Sequence, residues 1–453
     1  MSALSWLTSG KKSADTSLTG KSNATDQVQT MLDEILPKRA ALLESKAPID
    51  VRTLMELYTV EELCETAEDY YRNVEDTSGL LAKPYICMSE TPELLGVFSQ
   101  LLLGIKPVGG MDILDFGAGP GWASHALTSI GAKMIVSDVS MSGLKIAADR
   151  FKRIPVPSPH VPPKFLHFNG RTFDLPNESV DRIICIDAFH HIPNPVEVLG
   201  EMSRVLRQGG VAAFAEPGPK HSWSPGAQYE MRHHQVVEND VVIEDIWAMA
   251  KQVGFSDIRL AVFCTSPFHV SMNEFNEFLA GGKSSSQYLN TSQHYMQNSR
   301  RLFFLSKGAE GIADSRSTEG LQASIKIKES GGPKVRLGDT RSITAKVTNT
   351  GKVRWLPPSH GLGSVWLGAH LHEKGSSSMK SGFFTTPLPT EEAKGLMPGK
   401  SVEFTFELTV PDKTGDFDYE FDLVSQQVAW FHSVGSPTTR MSLSVCGANH
   451  GCH

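Results

Sequence analysis

The chain is first bounded by what it lacks. No apolar run approaches the roughly 18 residues that a membrane helix needs; the longest candidates, such as Val97 to Ile105, reach half of that. Residues 1–22 carry no apolar stretch ahead of their lysines, so no signal peptide is expected. Six cysteines in 453 residues are too few for a disulfide scaffold, which leads to an expectation of reduced thiols and a cytoplasmic setting. There is no basic excess: the formal net charge is −7, which gives no global attraction to nucleic acid or anionic lipid. With 39 glycines and 26 prolines the chain is neither low-complexity nor collagen-like. Paired Cys-x-x-Cys knuckles are missing too. Cys446, His450, Cys452 and His453 are ligand-type residues gathered at the tail without that pairing, so no metal site is expected.

What is present is an ordinary globular composition, 40% hydrophobic and 21% charged, long enough for two to four domains. Residues 1–25 are Ser/Thr/Gly/Lys-rich and read as a flexible tail. Helical spacing dominates 26–105: Met31, Ile35 and Leu36, then Leu54, Leu57, Val60 and Leu63, then Leu94, Leu95, Phe98, Leu101 and Leu102. Asp50 and Thr91-Pro92 look like helix starts. Over 106–307 short apolar runs at 111–116, 133–138, 180–186 and 210–216 alternate with helical stretches at 121–130, 141–151 and 195–207, which predicts βαβ units and a parallel sheet. Gln208-Gly209-Gly210 reads as the stop of the last helix. Two later runs, Ile258 to Phe263 and Arg301 to Leu305, predict final strands with a polar, irregular stretch between them. Residues 308–322 are small and polar and read as a flexible linker between parts that fold separately. From 323 to 446 the period becomes two, as in Ile343, Ala345 and Val347 or Phe404, Phe406 and Leu408, which predicts an antiparallel β-sandwich. A short tail, 447–453, follows.

The chemistry concentrates at Ile113-Leu114-Asp115-Phe116-Gly117-Ala118-Gly119-Pro120-Gly121-Trp122. A buried strand runs into three alternate glycines and then a helix, whose first N–H groups are unpaired. The third glycine comes one place too early for a dinucleotide loop, and no Gly-Lys-Ser/Thr follows for a P-loop. The next strand ends in Asp138, where a carboxylate can accept both hydroxyls of a ribose. Together these suit a nucleoside without a pyrophosphate. The Asp115–Gly117–Gly119–Gly121 pattern, with Asp138, resembles the class I S-adenosylmethionine-dependent methyltransferases. Asp174-Leu175-Pro176 with Ser179 to Ile184, Ala188-Phe189-His190-His191-Ile192, and Arg204 to Gly210 resemble blocks of the ubiquinone/menaquinone-type subgroup. The resemblance spans roughly residues 85–265. It implies a Rossmann-like α/β domain with a mostly parallel seven-stranded sheet, a helical N-terminal extension, and S-adenosyl-L-methionine as cofactor. It places Asp115, Gly117, Ala118, Gly119, Gly121, Asp138, Val139, Asp187 and Ala188 beside the cofactor. The subgroup's Gly-Asp adenine contact is Gly170-Arg171 here, with Asn169 and Gly170 as its stand-ins.

Methyl transfer from a sulfonium requires an oriented acceptor and exclusion of water. A hydroxyl acceptor also needs a base. His190, His191 and His221 are the catalytic candidates, drawn from a wider set with Glu216, Glu230, His233 and His234; a turn-fixing role is the plainer reading for His191. Tyr70, Tyr71 and Tyr85 can close over the cofactor or simply pack. The loop from Glu216 to His234 is expected to wall the acceptor. The C-terminal part resembles an immunoglobulin-like accessory domain, in which Trp355, Trp366 and Trp430 stack on sugars or fill the core. The expected acceptor is a hydroxyl of a sugar, glycan or related metabolite. A quinone-like small molecule and a non-catalytic scaffold role are the alternatives. A homodimer through the C-terminal domain stays open.

Overall fold

The computed structural model describes residues 33–156, 161–262, 268–312, 314–329, 332–375, 379–391 and 395–447. The tail expected at 1–25, and His450, Cys452 and His453, lie outside them. Residues 33–44 are helical (α1). They are followed by α2 (Val51–Leu57), α3 (Val60–Arg72), α4 (Ser78–Ala82) and α5 (Thr91–Ile105). Asp50 caps α2 by accepting from the Arg52 N–H, and Thr59 and Glu62 close a reciprocal capping box on α3. Then come β1 (Asp112–Phe116), α6 (Trp122–Ser129), β2 (Lys133–Asp138), α7 (Met141–Arg153), β3 (Lys164–His167), β4 (Val180–Ile186), α8 (Pro195–Val205), β5 (Leu206–Glu216), α9 (Pro225–His233), α10 (Ile243–Gln252), β6 (Asp257–Leu260), α11 (Met272–Leu279), α12 (Lys283–Asn298) and β7 (Arg301–Ser306).

The strands form one sheet in the order β3-β2-β1-β4-β5-β7-β6, with β7 antiparallel to its neighbours. The order reverses between β1 and β4, and that switch point opens a crevice at the carboxyl ends of the strands. Alternate strand residues feed two apolar layers. Leu114, Ile183, Phe214 and Phe303 meet Val198, Leu199 and Met202 of α8, and Ile113, Ile184 and Ala213 meet Val97, Leu101 and Ile105 of α5. Each fully buried side chain of this kind contributes roughly 1.5–3 kcal/mol.

Three expectations are corrected. β3 was not read from the sequence: only Leu166 of its four residues is partly buried, so it carries no clean apolar alternation. The turn Gln208-Gly209-Gly210 does not end a helix. α8 stops at Val205 and β5 starts at the next residue, so Gly209 serves as a bulge inside the strand, with φ +78° and its N–H donating to the Lys307 carbonyl at 2.7 Å. The stretch expected to be irregular between the last two strands contains α11 and α12, α11 opening on a Ser271–Glu274 capping box.

The second part is a sandwich of β8 (Ala323–Glu329), β9 (Lys334–Arg336), β10 (Thr340–Asn349), β11 (Val365–Glu373), β12 (Met379–Pro387), β13 (Ser401–Thr409), β14 (Gly415–Ser425), β15 (Ala429–Trp430) and β16 (Thr439–Cys446). One sheet runs β13-β10-β8 and the other β12-β11-β14-β16-β9, with β15 pairing β14. The two faces enclose Ala345, Leu367, Phe417, Tyr419, Phe421 and Leu443. Trp355 is fully buried against Phe431, 5.3 Å between ring centroids, and is core. Trp366 is partly buried, and the Trp430 ring lies 4.3 Å from that of His370.

The segment read as a flexible linker is pinned. Arg316 is buried and donates to both oxygens of Asp181, at 2.9 and 2.8 Å, and to Asp314 at 2.9 and 2.7 Å. Asp181 also pairs with Arg207 at 2.9 Å and accepts from the Asp112 N–H at 2.9 Å. Burial alone would raise the Asp181 carboxyl, but Arg316 and Arg207 overcome it and hold the group at about 2. Ser315 donates to the Gly363 carbonyl at 2.6 Å and accepts from the Leu356 N–H at 2.9 Å. Lys133 reaches His360 at 3.5 Å. Asp112, Lys133 and Asp181 all stand at or next to the first residues of their strands, so the sandwich docks on the amino edge of the sheet, opposite the crevice.

Candidate active site

The loop after β1 is built for close approach. Gly117, Gly119 and Gly121 have φ of +66°, +47° and +70°, the left-handed region open to glycine. A Cβ on Gly117 would lie 2.2 Å from the Cβ of Ala188, and one on Gly119 would lie 2.5 Å from the Tyr71 hydroxyl. The loop is tied to β2, with the Ala118 N–H donating to Ser137 at 3.0 Å and the Gly119 N–H to Asp138 Oδ2 at 2.8 Å. Asp138 Oδ1 accepts from the Ser140 N–H at 2.8 Å. Asp115 lies beneath the loop, 2% exposed, and accepts from the Ser124 hydroxyl at 2.6 Å. Burial pushes its carboxyl up to about 7.

The N-terminal helices roof this loop. Glu68 of α3 accepts from the Ser140 hydroxyl (2.6 Å) and from the N–H and hydroxyl of Ser142 (2.9 and 2.7 Å). Burial raises the Glu68 carboxyl, but these donors together outweigh it and bring it down to about 2. Arg150 of α7 binds three carbonyls, those of Pro120, Lys83 and Leu80, at 2.8, 2.9 and 2.8 Å, and so joins the glycine loop to the extension. Cys64 covers Gly170, and burial pushes its thiol up to about 11.

Below the roof lies a cavity of about 840 Å³, within the range of small-molecule sites and large enough for a cofactor beside a small acceptor. Gly117, Asp138, Val139, Gly170, Asp187 and Ala188 line one end, and His190, His191, His221 and Glu238 line the other. Of the residues expected near the cofactor, Asp115, Ala118, Gly119, Gly121 and Asn169 stand behind this wall. Asn169 is spent on its own turn, accepting from the N–H groups of Arg171 and Thr172 at 2.9 and 2.7 Å. Asp187, with φ +51°, faces the cavity paired to Arg300.

The turn after β4 is organised by Glu216, the last residue of β5, which is fully buried. Its carboxylate accepts from the N–H groups of Phe189 (2.9 Å), Ala188 (3.2 Å) and His190 (3.3 Å), and from His190 Nδ1 at 2.7 Å. Burial would raise Glu216, yet these donors hold it below the usual carboxylate range. His190 Nε2 points at Glu238 Oε2, 3.5 Å away. Burial works against a charge on His190, but Glu216 and Glu238 prevail and raise it. His191 donates Nδ1–H to the Val237 carbonyl at 2.7 Å; the packing around it, then His190, lower it to about 4. His221 donates Nε2–H to Glu238 Oε2 at 2.7 Å. Glu230 reaches the cavity; His233 and His234 do not. Tyr70 and Tyr71 line it as well, whereas Tyr85 is 70% exposed and stands apart.

The long segment after β5 is not a plain loop. It contains α9, where Gln228 binds both the N–H and the carbonyl of Ile49 (2.7 and 2.9 Å), so it locks the N-terminal helices over the site. Glu238, Arg300, Glu68 and Arg150 had no sequence signal, because each acts across long separations in the chain. Glu216 was legible as a carboxylate ending a strand.

The glycine loop, the Asp138 carboxylate and the crevice thus meet at the carboxyl edge of the sheet. Residues 114–214 match the family model described as a methyltransferase domain. A ubiquinone biosynthesis O-methyltransferase of Ruegeria sp. (strain TM1040) is 20% identical over 191 residues, 39% of this chain and 73% of its own. An uncharacterized methyltransferase of Mycobacterium sp. (strain KMS) is 26% identical over 182 residues, 40% of this chain and 60% of its own. Among solved structures, a Haemonchus contortus phosphoethanolamine N-methyltransferase 2 bound to phosphomonomethylethanolamine and S-adenosylhomocysteine is 17% identical, covers 56% of this chain and 61% of its own, and has a TM-score of 0.38. Residues 114–214 form a methyltransferase domain of the class I type, followed by an added β-sandwich, and S-adenosylmethionine is the cofactor that such a domain implies.

Proposed function

We propose that the protein transfers a methyl group to a hydroxyl of a small molecule. The observation that carries this reading is the single cavity joining the glycine-loop edge to the histidine–glutamate cluster. The bound cofactor supplies an electrophilic methyl on a sulfonium. The chain's own part is to hold the acceptor in line, exclude water under the α3 roof and remove the hydroxyl proton. His221 is the base favoured here. Glu238 holds its Nε2–H and orients the ring, and the other nitrogen has no hydrogen-bond partner among the described residues. His190 is instead locked between two glutamates. Asp138, with both oxygens on backbone N–H groups, presents its remaining lone pairs to the ribose.

A quinol-like or other phenolic acceptor ranks ahead of a sugar of a polymeric glycan. Tyr70, Tyr71 and Leu63 make part of the wall aromatic and apolar, and the sandwich, docked on the far edge of the sheet, contributes no residue to the lining. The Ruegeria relative is named for ubiquinone biosynthesis, which fits that ranking. The test is incubation with methyl-labelled cofactor and a panel of phenols and sugars. One added methyl on an oxygen supports the reading; transfer only to nitrogen or carbon, or none in a protein that binds the cofactor, refutes it.

A further inference from the structure

We propose that His190, His191 and Glu238 bind one divalent transition-metal ion, with Zn²⁺ the best match to the donors, and that this ion holds the acceptor hydroxyl. The proposal rests on the reading of this cavity as the acceptor site, and it reverses the expectation of a metal-free site. That expectation followed from the lack of any local ligand motif; here Glu238 comes from a distant, irregular part of the chain.

Three observations converge. One ligand atom from each residue lies within 4.8 Å of the others. A tetrahedral ion at about 2.1 Å from each ligand needs donors about 3.4 Å apart, so small side-chain movements close the set. Each donor is also oriented from behind: His190 by Glu216 (2.7 Å), His191 by the Val237 carbonyl (2.7 Å), and Glu238 by His221 (2.7 Å). Carboxylates and backbone carbonyls in those positions fix the tautomer of metal-binding histidines. Finally, the charge pattern calls for a positive centre. The proton on His190 Nδ1 is committed to Glu216, so Nε2 meets Glu238 Oε2 at 3.5 Å, and the Nδ1–H of His191 is committed to the Val237 carbonyl, which leaves its Nε2 as the ligand atom. A second proton on His190 would serve only its pair with Glu238, whereas an ion serves all three residues. Two histidines and one carboxylate, with a side open to the cavity, is the donor set of a catalytic zinc rather than of magnesium or calcium.

In that site the acceptor oxygen binds the ion and loses its proton to His221. The oxygen then forms the new O–CH₃ bond as the S–CH₃ bond breaks, and neutral S-adenosylhomocysteine leaves with the bonding pair on sulfur. No oxidant or reductant is consumed.

The test is metal binding by the full chain. Chelator-dialysed protein titrated with Co²⁺ should take up one equivalent at this site, with the visible absorption of a four- or five-coordinate ion, and Zn²⁺ should displace it. Glu238→Gln and His191→Ala should abolish that signal, and Glu216→Gln should weaken binding roughly 10–100-fold. His432→Ala, in the separate His370–Asp422–His432 cluster of the sandwich, should leave it intact. Cofactor titration and thermal unfolding confirm that each variant is folded. Absence of saturable Co²⁺ and Zn²⁺ binding, or binding unchanged in Glu238→Gln and His191→Ala, overturns the proposal. Methyl transfer to a hydroxyl that is indifferent to chelation also overturns it while leaving the proposed function standing. Stoichiometric metal without hydroxyl methylation does the reverse.

Discussion

Asp115 and Asp181 lie in neighbouring strands of the same sheet, both buried, at opposite edges. At the amino edge Asp181 is met by two arginines and a backbone N–H, and its carboxyl is held at about 2. At the carboxyl edge Asp115 has a serine hydroxyl, and burial leaves it at about 7. One edge neutralises buried charge in full, and the other leaves it poorly compensated. Positive-φ backbone occurs at both edges, at Gly110, Gly131 and Glu178 on the amino side and at Gly117, Gly119, Gly121 and Asp187 on the carboxyl side, so it is the treatment of buried charge that separates them. The sheet is fastened at one end and left open for a ligand at the other.

The contrast can be broken experimentally. The largest effect is expected at the carboxyl edge. Gly117→Val puts a branched side chain at φ +66° into the space of Ala188, and cofactor binding should fall below calorimetric detection; a dissociation constant within threefold of wild type would show that the loop is not the binding edge. His221→Ala should lower kcat by roughly 10²–10⁴ with cofactor affinity nearly unchanged, and a near-normal kcat on a hydroxyl acceptor would remove it as the base. At the fastened edge, Arg316→Met leaves Asp181 and Asp314 without their main partner and should cost about 3–5 kcal/mol of stability, read by denaturant unfolding, with cofactor affinity intact. A loss under 1 kcal/mol would make the latch incidental.

The smallest effect is in the pH profile. Asp181 sits below its ordinary value, so its stabilisation is complete above about pH 4 and is lost as pH falls through about 2, worth about 2 kcal/mol. Asp181→Asn should flatten the unfolding profile in that window. Asp115 is raised, so its contribution is present below about pH 4 and fades as pH climbs through about 7; Asp115→Asn should remove a slope of the opposite sign. Parallel profiles for the two variants would dissolve the contrast.

Much of the fastened framework was legible in the sequence. β1, β2, β4 and β5 are apolar runs because both faces of a parallel sheet are covered, and the glycine loop announced itself by spacing. β3 escaped because it is an exposed edge strand, and α12 because serine, asparagine and glutamine hide a helical period, whereas α11 keeps a readable one in Met272, Phe275, Phe278 and Leu279. Within the site, the His190-His191 pair was visible as a motif. The roof made by Glu68 and Arg150, the Asp187–Arg300 pair and the glutamate that gathers three histidines were not, since no local pattern encodes contacts between residues far apart in the chain. The same limit made residues 308–322 look like a tether: small polar residues spell flexibility until a buried partner for Arg316 is known.

The docking of the sandwich on the amino edge also makes it a handle. Its outer strand β8 shows Lys326 and Lys328 to solvent, so a surface linkage or label placed there sits on the side of the molecule away from the cavity. An enzyme immobilised through those lysines should keep its mouth clear for acceptor exchange, whereas attachment through the helical roof should throttle it.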